Sequence, residues 1–144
     1  MSTRHRYPPV LDPDLVGTYP AFVKSGGGYV WDAVLEYRVW CHPERGAPDE
    51  ANGDDYFYAF ASFDDALSFS ERTKGAEEPL ALIVQEEFIA EPEPGHFIQV
   101  KERRITEWAV EFLDRPARTE DTIPDFLSSG APPHRLDASS VTKH

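Results

Sequence analysis

Cysteine occurs once in this 144-residue chain, at position 41, so no intramolecular disulfide can form and a cage of thiolates around a metal is excluded. Basic side chains are also scarce. Fourteen lysines and arginines stand against 26 aspartates and glutamates, a formal charge of −12. Nucleic-acid affinity rests on basic side chains displacing counterions from phosphates, so nucleic acid is not an expected partner. No apolar run approaches the roughly 20 residues of a membrane span. The opening Met1-Ser2-Thr3-Arg4-His5-Arg6-Tyr7-Pro8-Pro9 leads into no stretch of signal-peptide type. These absences lead us to expect a soluble, cytoplasmic protein with no membrane partner. No Gly-x-Ser-x-Gly elbow is present, and Gly26-Gly27-Gly28 lacks the lysine and serine of a phosphate-binding loop.

Apolar residues make up 40% of the chain and aromatics 12%, more than a disordered chain carries, and the length suits a single domain spanning residues 1–144. Acid concentrates in the middle: residues 51–100 hold 11 acidic and 2 basic side chains, which is −9 of the −12. The pairs Asp54-Asp55, Asp64-Asp65, Glu77-Glu78 and Glu86-Glu87 sit at the ends of apolar runs, as solvated element ends do.

The spacing predicts an α+β domain of about five mostly antiparallel strands, one clear helix and a proline-rich extended arm at each end. In the first arm, residues 1–30, Pro8, Pro9, Pro13 and Pro20 block a regular helix. Val10, Leu11, Leu15 and Phe22 nevertheless predict that it packs on the core, residues 31–113, with the glycine triplet as a turn. Residues 33–41 alternate Leu35, Tyr37, Val39 and Cys41 with Glu36, Arg38 and Trp40, the period of a strand with one face on a core. Residues 42–55 form a loop. Residues 56–61 are apolar on both faces and predict a buried central strand. Ser62 caps a helix over 63–74 that Gly75 ends. Three further strands are expected at 80–88, 96–101 and 104–113, with a turn at 91–95 and a wrapping tail over 114–144.

The histidines at 5, 42, 96, 134 and 144 never recur at the three- to four-residue spacing that puts two on one helix face, and Cys41 and His42 point to opposite faces of a strand, so no metal site is expected. Cys41 lies on the apolar face of its strand and is expected to be inert.

The runs Gly26-Gly27-Gly28-Tyr29-Val30-Trp31-Asp32, Glu36-Tyr37-Arg38-Val39-Trp40-Cys41-His42-Pro43-Glu44, Gly75-Ala76-Glu77-Glu78-Pro79-Leu80-Ala81-Leu82 and Thr122-Ile123-Pro124-Asp125-Phe126-Leu127 resemble, over nearly the full length, a small bacterial family. Its members carry the label of N-acetyltransferases of the GNAT superfamily. The resemblance implies a transferase with acetyl-CoA as donor and an amine as acceptor. The nearest match to that superfamily's pyrophosphate loop, Arg/Gln-x-x-Gly-x-Gly/Ala, is Arg72-Thr73-Lys74-Gly75-Ala76-Glu77, which ends on a glutamate and follows a helix instead of opening one.

Two further readings stand beside this one. In order and rough spacing the chain looks like an ADP-ribosyltransferase, which holds NAD with an arginine or histidine on a first strand, a serine or tyrosine on the next, and a late glutamate that stabilises the cationic ribose. In that reading Arg38, beside Tyr37, holds phosphate, Ser62 positions the ribose, and Glu111 with Glu107 carries the catalysis. The chain departs from it in the reduced triplet Ala61-Ser62-Phe63 and in glutamates four residues apart. The bland counterparts are a sheet-surface Arg38 paired with Glu36, a helix-capping Ser62 and a solvated face for both glutamates. The third reading is a non-catalytic acidic module in which Trp31, Trp40, Trp108 and the tyrosine-rich second strand face a basic protein partner. No residue pattern specifies a substrate or an oligomeric state.

Overall fold

The structure is a computed structural model that describes residues 7–129. In chain order its elements are β1 (Lys24–Gly26), β2 (Ala33–Cys41), β3 (Tyr56–Phe60), α1 (Phe63–Arg72), β4 (Leu80–Gln85), β5 (Phe88–Glu93), β6 (His96–Val100), β7 (Arg104–Ala109) and α2 (Thr122–Ser129). The fold is α+β, with seven strands in two sheets and two helices among the described residues. These residues divide into two compact units, 7–22 with 34–82, and 23–33 with 83–129.

In the first unit the strand order is β4-β2-β3. β2 and β3 run antiparallel, with Tyr37 opposite Phe60 and Cys41 opposite Tyr56. Leu35, Tyr37, Val39 and Cys41 give β2 its apolar face. Its other face is buried as well, because the N-terminal arm lies over Glu36 and Arg38, both 0% exposed. β2 is therefore an inner strand buried on both faces. β3, read from its sequence as central, ends the sheet and is only half-buried. The apolar residues on its second face meet α1 and neighbouring aromatics: Tyr58 and Phe60 each pack on Phe69, with ring centroids 5.3 and 5.4 Å apart.

α1 begins where expected. The Ser62 hydroxyl accepts from the Asp65 amide at 3.1 Å, and Asp64 and Asp65 favour the positive end of the helix. The helix ends at Arg72 with Thr73 as its C-cap, its last residue three positions before the glycine expected to stop it. Gly75 has a different task. Its φ is +80°, and a Cβ there would lie 2.3 Å from the Ala47 nitrogen. A glycine thus lets residues 75–77 run beside 40–42, where His42 N donates to Gly75 O and Glu77 N to Trp40 O.

In the second unit β1 runs parallel to β7, with Lys24 opposite Thr106. The glycine triplet is thus partly strand: Gly26 ends β1. The run expected as one strand over 80–88 breaks at Glu86-Glu87, and Phe88 opens the hairpin β5–β6. The expected turn narrows to Pro94-Gly95, because β5 continues to Glu93 with a register shift around Pro92 that absorbs the missing N–H. β7 stops at Ala109, and residues 110–114 coil into a 3-10 turn. The tail holds a helix, α2, whose Pro124 sits in the first turn, where no intrahelical N–H bond is lost. Val30, Phe88, Ile89 and Ile123 form this unit's core, with Tyr29, Phe97 and Phe126 packed against it. Arg118 ties the tail down, donating to Asp32 at 2.7 Å and to Glu87 at 2.8 Å. The parts of the expected arm and tail at residues 1–6 and 130–144 lie outside the described residues.

Candidate functional site

The sequence-derived cleft residues fall on several elements. Tyr37 and Arg38 lie on β2 and Ser62 caps α1, all in the first unit, while Glu107 and Glu111 belong to the second. Glu107 is a buried residue of β7, opposite Ser25. Glu111 is exposed in the 3-10 turn after it, so the two glutamates do not share a strand face.

Arg38 is enclosed. Its Nε donates to Glu36 Oε2 at 2.6 Å, Nη1 to the Ala21 carbonyl at 3.1 Å, and Nη2 to the Pro20 carbonyl at 2.5 Å. Its guanidinium stacks 4.4 Å from the Phe57 ring centroid, and Glu36 accepts a further bond from the Gly17 amide. The arginine read as lying on the sheet surface is instead buried, because the arm's carbonyls supply the acceptors water would otherwise provide. The Tyr37 hydroxyl donates to the Pro8 carbonyl, and burial, with Tyr7 nearby, pushes its pKa well above the usual phenol value. Cys41 is buried as expected, and burial raises its thiol pKa.

Exposed aromatic surface collects at the β3 end of the first unit. Trp31 and Trp108 are core residues, so they contribute nothing to it. Trp40 does: it packs on Phe57 at 4.9 Å and on Phe22 at 6.1 Å, and Phe22 is 86% exposed. Tyr58, on the other face of β3, is 40% exposed and donates to Glu50. That bond, with burial second, pushes its pKa up to about 12. Acid surrounds this strand. Glu44, Asp49, Glu50, Asp54 and Asp55 precede it, and Asp64 and Asp65 follow.

At the start of β3 lies a cluster that helix spacing does not reveal. Cys41 pairs with Tyr56, so the next pair outward is His42 and Asp55. A 3-10 turn over Pro43–Arg45 brings Glu44 back toward them. One donor atom from each of His42, Glu44 and Asp55 lies within 4.8 Å of the others, a grouping that could hold a metal ion. Glu77, positioned by the glycine at 75, meets His42 Nε2 at 2.5 Å. Asp55 Oδ1 is 2.9 Å from Nδ1 on the other side. Even so close, Nδ1 makes no hydrogen bond. Asp55 foremost holds the imidazole pKa above its ordinary value; burial opposes this and Glu77 adds to the rise.

Comparison with protein-family models, with curated proteins and with solved structures finds no match to this chain.

Proposed function

We propose that the chain is a non-catalytic, acidic protein-interaction module whose first unit takes up an extended basic segment of a partner along the free side of β3. The observation that carries this reading is the place of β3: an aromatic strand at the end of its sheet, with β2 as its only strand neighbour among the described residues. A terminal strand offers unpaired backbone groups to an incoming strand, and side-chain pockets then give selectivity. Phe22, Trp40 and Phe57 supply apolar contact on one face and Tyr58 on the other. The acidic side chains before and after β3 steer a lysine- or arginine-bearing segment to it.

The transferase readings draw less support. The three guanidinium nitrogens of Arg38 already donate within the protein, and the Ser62 hydroxyl is engaged in capping. The segment Arg72–Glu77 closes a helix, with Glu77 turned to His42. The test is a titration of ¹⁵N-labelled protein with lysine-rich extended peptides, beside acetyl-CoA and NAD. Amide shifts that collect on residues 56–60 and weaken with salt are expected. Thermal stabilisation by acetyl-CoA or NAD, about 2.7 kcal/mol at a hundred times the dissociation constant, would favour the corresponding transferase reading.

A further inference from the structure

We infer that His42, Glu44 and Asp55 form a binding site for a divalent transition-metal ion, with Glu77 as the outer carboxylate that sets the histidine tautomer. It stands apart from the partner-binding reading: Glu44 and Asp55 also belong to the acidic fringe of β3, but the site turns on the His42 imidazole and Glu77, which that reading does not use.

His42 is 8% exposed, so its ring nitrogens need partners from the protein. Nε2 has one, Glu77 at 2.5 Å, and a carboxylate in that position accepts N–H. In the neutral ring the proton is then on Nε2, and Nδ1 presents a lone pair. That lone pair is buried, has no hydrogen-bond partner and faces a carboxylate oxygen 2.9 Å away. Two acceptors at such a distance repel unless a positive charge sits against both. Arg45 lies 3.7 Å from Glu77, on the side already satisfied.

Ligand chemistry narrows the occupant. One imidazole nitrogen and two carboxylates make a mixed nitrogen and oxygen set, suited to zinc, manganese or cobalt; calcium and magnesium prefer oxygen throughout. Glu44 and Asp55 are exposed, which leaves room for water to complete the coordination shell. The carboxylate on the far ring nitrogen is the arrangement by which metal-bound histidines are usually oriented. The competing occupant is a proton, which would make His42 an imidazolium between two carboxylates.

The experiment is a Zn²⁺ titration of the full chain at pH 7, followed by calorimetry and by long-range ¹H–¹⁵N spectra of the histidine rings. Zinc is expected to shift the His42 Nδ1 resonance to that of a coordinated nitrogen while Nε2 keeps its proton. Glu44→Gln with Asp55→Asn, at exposed positions, should leave the circular dichroism spectrum unchanged and abolish that shift. Glu77→Gln should weaken zinc binding by about 10–100-fold, the usual cost of losing an outer-shell carboxylate. The inference is overturned if His42 stays doubly protonated or unshifted in excess zinc, or if the Glu44→Gln, Asp55→Asn variant binds zinc at His42 as tightly as the parent. Zinc held only by other histidines of the chain would overturn it too.

Discussion

Two polar groups on the same strand-and-loop segment, Arg38 and His42, are both nearly inaccessible and both flanked by carboxylates, yet their surroundings differ. Around Arg38 each side-chain nitrogen meets an acceptor, and the matching carboxylate, Glu36, is as buried as the arginine. Around His42 one nitrogen is satisfied and the other is not, and its carboxylate neighbours reach solvent. A closed polar network specifies structure; an open one retains a capacity to bind. The difference argues that Arg38, chosen from the sequence as a ligand-holding residue, serves the fold. His42, set aside there, has the unspent valence.

The largest effect is expected of Arg38→Met. It strands the Glu36 carboxylate in the interior and should cost about 3–5 kcal/mol in urea unfolding, while the pair Arg38→Met with Glu36→Met should recover most of that loss. A single variant within about 1 kcal/mol of the parent would mean that the network is not closed. Gly75→Ala acts on the other side of the comparison, by displacing the segment that carries Glu77. With a left-handed φ and a Cβ driven into the Ala47 backbone, it should lower stability by about 2–3 kcal/mol in thermal unfolding. The smallest effect belongs to His42→Ala. Glu77 and Asp55 are 38% and 43% exposed and can rehydrate, so about 1–2 kcal/mol is expected by the same measurement. If this variant cost as much as Arg38→Met, the two sites would be alike.

Local signals carried much of the fold into the sequence. The alternation over residues 33–41 located β2, and Ser62 followed by Asp64 and Asp65 located the start of α1. What alternation does not encode is which strand lies inside. Glu36 and Arg38 read as a solvent face, because their burial depends on the Gly17 amide and the carbonyls of residues 20 and 21, far along the chain. Residues 56–61 read as central, because an end strand covered by aromatics has the same apolar pattern on both faces. α2 was hidden by Pro124, which a first helical turn tolerates. Val110 and Phe112 continue the β7 alternation into a 3-10 turn. The His42 cluster escaped a search based on helical spacing, since it arises across two strands, from the register that sets Cys41 against Tyr56.

The N-terminal arm of the first unit acquires a further significance from its carbonyls. Pro8, Pro20 and Ala21 accept from Tyr37 and Arg38, and Gly17 donates to Glu36. Any partial opening that peels residues 8–21 away leaves a charged pair and a phenol on β2 without the groups that replaced their hydration. Opening hands these groups back to water, so each bond contributes about 0.5–1.5 kcal/mol net, more for those to the charged pair. Residues 8–21 and the inner strand of the first unit are therefore tied together through side chains. Slow amide exchange along β2 reports on the attachment of the arm.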